Sequence, residues 1–155
     1  MNKIFKLILV LSLLIFSAVS ISGCSSEKEK IAKEYTGVWR ADKKTSSSNT
    51  QYYLVIKPSK TNENTLDIRC RIISKSNPDF YGATSKINFA PKITLDEDQN
   101  AIINEQTKIA NMTHMFKEPL IISTEGDTKF IKYNAMKFIK TSNDPKIPEL
   151  KDIKF

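Results

Sequence analysis

From residue 66 to residue 72 the chain alternates without a break. Leu66, Ile68, Cys70 and Ile72 are apolar, while Asp67, Arg69 and Arg71 are charged. That period of two predicts a strand with one face buried. Other runs have strand character: Gly37-Val38-Trp39-Arg40, Tyr52 to Lys57, Tyr81 to Phe89 and Met136 to Lys140. Leu120 to Ser123 and Lys129 to Tyr133 flank Glu125-Gly126-Asp127, a hairpin signal. Ile93 and Leu95, then Ala101 to Ile103, flank the polar run Asp96 to Asn100, which reads as a charged turn. Pro58 to Asn64 reads as a turn and Asn77-Pro78-Asp79 as a break.

Helical spacing is scarcer. Ser26 and Glu29 have capping-box spacing ahead of Ile31, Glu29 and Lys33 are a favourable i, i+4 pair, and Ile31 and Tyr35 share a face. A short helix from about Glu27 to Glu34 follows, lying at the domain's edge. Residues 106–116 stay ambiguous. Ile109, Met112 and Phe116 fall at helical spacing, but Thr107, Thr113 and His114 weaken the propensity, so the piece is a helix or an irregular strand. The expected fold is mostly β, an antiparallel barrel or curved meander of about eight strands with a short N-terminal helix. An α+β roll is the alternative if residues 106–116 are helical. The β domain is placed at 31–140, and the tail 141–155, with Pro145 and Pro148, is expected to be loose.

The front of the chain follows a different pattern. Lys3 and Lys6 precede an apolar run from Leu7 to Val19, and mostly small residues lead to Cys24. Charge, then an apolar run too short to span a bilayer comfortably, then small residues, is the order of a secretory signal. Its end, Ile21-Ser22-Gly23-Cys24, resembles the bacterial lipobox. That resemblance implies a signal peptide over 1–23, cleavage before Cys24, and a diacylglyceryl group on its thiol. Residues 24–30 are then a lipidated tether, the membrane is a partner through the lipid on Cys24, and palmitate-type labelling is expected. The implied location is the bacterial cell envelope: the outer membrane in a diderm host, where Ser25 lacks the Asp that favours inner-membrane retention, and otherwise the outer face of the cell membrane.

Removing the leader leaves 132 of 155 residues, enough for one core. Lys3 and Lys6 go with it, so 22 basic residues face 17 acidic ones, a net charge of +5. The charges are scattered, without the Lys/Arg runs that mark nucleic-acid binding. With Cys24 acylated, Cys70 is the one remaining cysteine, so no intramolecular disulfide forms and the core must supply stability. The alternation turns Cys70 inward as a small hydrophobe.

Gly37-x-Trp39 after a short helix resembles the start of lipocalin-like barrels and of small bacterial lipoproteins on that plan. In those proteins the Gly permits a close approach and the Trp plugs the barrel base, often against an Arg from the last strand. Here the last strand offers only Lys137 and Lys140, so that partner is missing.

Candidate chemistry is sparse. Asp96-x-Asp98-x-Asn100 has the front of a calcium loop, but Ala101 and Thr107 stand where an EF-hand needs Gly and Glu. Met112-Thr113-His114-Met115 offers soft ligands for copper(I), yet neighbours in one segment fix no geometry. One His and no Gly-rich phosphate loop leave triad and P-loop chemistry unsupported. The expectation is a non-enzyme without metal or cofactor. Its function is that of a binding module for another envelope macromolecule, with Tyr52, Tyr53, Phe80 and Tyr81 as anchors if exposed. The alternative is a carrier of a small apolar ligand inside the barrel.

Overall fold

The computed structural model describes residues 26–44, 49–75, 91–114 and 118–153. Within them lie a helix, α1 (Glu27–Tyr35), and eight strands: β1 (Gly37–Ala41), β2 (Thr50–Pro58), β3 (Thr65–Lys75), β4 (Pro91–Asn104), β5 (Ile109–Met112), β6 (Ile121–Glu125), β7 (Thr128–Tyr133) and β8 (Met136–Ser142). The expected strand over Tyr81 to Phe89 falls outside the described residues.

The strands form one antiparallel sheet in the order β5-β4-β3-β2-β1-β8-β7-β6. Its two edges meet. Ala110 N–H donates to Leu120 O at 3.2 Å, and Leu120 N–H to Ala110 O at 2.8 Å, as a single bridge. The meander is thus a nearly closed, lipocalin-like barrel, and closure removes the exposed edges that an open sheet would carry.

Antiparallel connectivity sorts the connections by end. The β1–β2, β3–β4, β5–β6 and β7–β8 connections leave from one end, here the mouth. The β2–β3, β4–β5 and β6–β7 connections leave from the other, the base, where α1 lies. Alternation sets what faces inward: Trp39, Leu54, Ile56, Leu66, Ile68, Ala101, Ile131 and Phe138 join Ile31 and Tyr35 of α1 in the main core. Cys70 takes its expected place in that core.

Three expectations are corrected. Residues 96–100 are no turn. They lie in the middle of β4, a 14-residue strand. Their outward carboxylates pair with the arginines of β3: Arg69 grips Asp98 through Nε and Nη2, both at 2.8 Å, and Arg71 Nη2 meets Asp96 at 2.8 Å. A charge run that reads as a solvated tip is one half of a cross-strand ladder. Residues 109–112 are strand, entered through Lys108 at a left-handed φ of 57°, so the α+β alternative falls. The tail is not loose. β8 continues to Ser142, and the chain then crosses the outer face of the barrel. There Ile147, Leu150 and Ile153 cover a second apolar cluster of Val38, Tyr53, Val55 and Ile73.

Candidate functional site

The two ends of the barrel differ in how they are filled. At the base, Ser26 caps α1, its Oγ accepting from Glu29 N–H at 3.2 Å, as the capping-box spacing implies. The other end of the helix leaves carbonyls that need donors. Thr36 N–H donates to Ala32 O at 2.9 Å. Trp39 Nε1–H donates to Tyr35 O at 2.8 Å, and Lys140 Nζ to Glu34 O at 3.0 Å. Trp39 is fully buried, and the Lys140 ammonium stands 5.3 Å from its ring centroid. A lysine of the last strand therefore sits where the resemblance sets an arginine. Burial holds the Lys140 pKa below its usual value. A cation beside a helix C-terminus and over an indole face is favourable on both counts.

Gly37 makes this approach possible. Its φ is +136°, and a Cβ there would stand 2.1 Å from Ser142 O. Only glycine brings β1 and β8 that close in that conformation. Tyr35 completes the seal. Its hydroxyl reaches Leu120 O at 2.8 Å and Lys108 O at 2.9 Å, bridging the β5–β6 seam, and burial pushes its pKa up.

The mouth is more polar inside. Tyr133 Oη crosses from β7 to Gln99 Oε1 on β4 at 3.2 Å, both residues buried. Burial pushes the Tyr133 phenol up to about 12. Beside this strut lies a cavity of about 100 Å³, lined among others by Tyr52, Cys70, Leu95, Met136 and Phe138. Leu95, 41 % exposed, marks the apolar part of the mouth end. Tyr52 is half-buried against the main core at this end.

Tyr53 does not serve as an exposed anchor. It points outward on β2, but the tail buries it to 5 % exposure, and its hydroxyl donates to Gln51 Oε1. Phe80, Tyr81 and the lipobox residues Ile21, Ser22, Gly23 and Cys24 lie outside the described residues. The connection that carries Phe80 and Tyr81 leaves from Lys75 and returns at Pro91, both at the mouth.

On the β3–β4 flank a groove of about 330 Å³ runs beside the tail, lined by Lys57, Asp67, Arg69, Asp98 and Pro145 among others. Its charges largely answer one another through the Arg69–Asp98 pair. Among the described residues there is no group of three or more His, Cys, Asp or Glu side chains that could hold a metal ion. His114 is exposed, and Met112 is half-buried against the core. No described helix is long and apolar enough to cross a membrane.

No known protein family matches this chain, and no curated protein or solved structure matches it either.

Sequence reasoning missed the roles of Tyr35 and Gln99, and the polar contacts that the inward Tyr133 and the last-strand Lys140 make. Tyr35 was placed on a buried helix face, but nothing local tells that its hydroxyl spans the barrel. Gln99 sat inside a run read as a turn. Its position two residues before Ala101 and four before Ile103 was the one available signal of an inward side chain.

Proposed function

We propose that this chain is a bacterial envelope lipoprotein, held to a membrane through lipid on Cys24. Its barrel is a non-catalytic module that contacts another envelope macromolecule. The observation that carries the second half is the filling of the barrel. Pockets that bury small molecules occupy about 300–1,000 Å³. The cavity at the mouth is about 100 Å³, and Trp39, Leu54 and Phe138 occupy the space beneath it. The mouth is the contact surface, because Leu95 is exposed there.

Two experiments test the two halves. Cys24→Ala should abolish labelling by a palmitate analogue and release the protein from membranes; a variant that still labels and still sediments contradicts the anchor. The mature domain should melt at the same temperature with and without fatty acids, retinoids or haem. A bound ligand at a hundred times its Kd would add about 2.7 kcal/mol, several degrees in a domain of this size. Such a shift makes the protein a carrier instead.

A further inference from the structure

We infer that the barrel stands base-down on the bilayer, with α1 and the β4–β5 turn against the lipid headgroups and the mouth presented away from the membrane. The inference rests on the proposed acylation of Cys24 and adds to it an orientation and a lipid-facing surface.

The argument begins with chain length. Ser26 is already the N-cap of α1, so only Ser25 separates it from Cys24, a distance of two residue steps. Two extended residues reach about 7 Å. The headgroup layer is about 5–7 Å thick on each side of the hydrocarbon core. With the acyl chains in the hydrocarbon, the start of α1 is therefore held at the outer edge of the headgroups.

The position of that start in the fold does the rest. The first turn of α1 sits on the β4–β5 turn: Lys28 Nζ meets Glu105 at 2.9 Å and Lys108 Nζ meets Glu27 at 3.7 Å. Both contacts are at the base. The mouth is far from it. A nine-residue strand such as β2 rises about 30 Å along its length, and about 23 Å along the barrel axis once tilted by 35–45°. A tether of about 7 Å cannot let the domain turn over to bring Leu95 and Lys92, both exposed in the mouth half of β4, to the same bilayer.

The surface chemistry agrees with contact at the base. The ion pairs there neutralise one another, and Ile102 offers a 50 % exposed apolar side chain close by. The mouth then meets something held by the opposite side of the envelope space, or a polymer within it, rather than lipid.

The test uses the acylated full-length protein in phosphatidylglycerol–phosphatidylethanolamine vesicles that carry nitroxide lipids. In a Cys70→Ala background, an uncharged fluorophore is placed singly at Ile102→Cys, Gln106→Cys, Leu95→Cys or Lys92→Cys. The labels at Ile102 and Gln106 should lose most of their fluorescence to the nitroxide, and those at Leu95 and Lys92 should lose none. Inserting about 20 Gly/Ser residues before Ser26, with an r.m.s. span of about 25 Å, should relieve quenching at the base while the protein stays on vesicles. Mass spectrometry of the same sample separates the outcomes. An unacylated Cys24 overturns the anchor reading and this inference with it. An acylated protein whose mouth labels are quenched as strongly as its base labels overturns the orientation alone.

Discussion

At the base of the barrel, polar groups left over by one element are answered by side chains of distant ones. Trp39, Lys140 and Tyr35 all reach backbone carbonyls, and Gly37 lets the strands that carry them close together. At the mouth, two buried polar side chains, Gln99 and Tyr133, answer each other, and a cavity is left beside them. The base is tied to the backbone, which cannot repack without unfolding. The buried polar contact at the mouth joins two side chains, which can change rotamer. Stability therefore concentrates at the base, and adaptability at the mouth.

The strongest way to break that asymmetry is Gly37→Ala. The new methyl collides with Ser142 O in a conformation alanine avoids, and the cost should be about 3 kcal/mol or more. Urea melts of the mature domain measure it; a variant within error of wild type would show that the base is not held by that approach.

Truncation after Asp144 asks whether the outer layer rivals the base. It uncovers Val38, Tyr53, Val55 and Ile73 and removes three half-buried side chains at about 1 kcal/mol each, about 2–3 kcal/mol in all. The expected signature is a lower melting temperature together with new binding of a hydrophobic dye.

Tyr35→Phe sharpens the picture within the base. It leaves the Lys108 and Leu120 carbonyls without the phenol, although Leu120 O keeps the Ala110 N–H. A loss of about 1–2 kcal/mol is expected. Hydrogen exchange should speed up at Ala110 and Leu120 before it does at the mouth.

Tyr133→Phe at the mouth should have the smallest effect at neutral pH, and its clearest mark is in alkali. The native phenol ionises at about 12, against about 10 in the unfolded chain. Between those values the unfolded state has lost a proton that the native state keeps, so stability is full below pH 10 and falls towards pH 12. The substitution should flatten part of that fall, leaving the share due to Tyr35 and Tyr53, whose phenols burial also raises. An unchanged slope would mean that Tyr133 is not buried as described.

Much of this plan was legible in the chain because it is local. The period of two from Leu66 to Ile72 set β3 and its inward Cys70, and Ser26 with Glu29 marked the start of α1. Gly37-x-Trp39 opens β1, and Trp39 is fully buried. What was not legible depends on partners distant in sequence. Asp96 and Asp98 look like a solvated turn until β3 supplies Arg69 and Arg71. Glu97 and Gln99, polar on the inward face, hid the alternation of β4. The tail looked loose because three isoleucine or leucine side chains among prolines have no periodicity. Their reason is the apolar strip on the outside of β1 and β2, which period-two reading assigns to solvent. Lys140 carries no local mark of its place over Trp39 either, because that contact joins the first strand to the last.

The filled barrel is most directly tested by Trp39, the single tryptophan, at the bottom of the interior. The mature domain is titrated with a brominated fatty acid, whose bromines quench an indole on contact. Emission should be blue-shifted at the start and unchanged in intensity throughout, because the space above Trp39 is taken by Leu54 and Phe138. Saturable quenching by the brominated chain, matched by none from its unbrominated counterpart, would contradict the account and place a ligand inside the barrel.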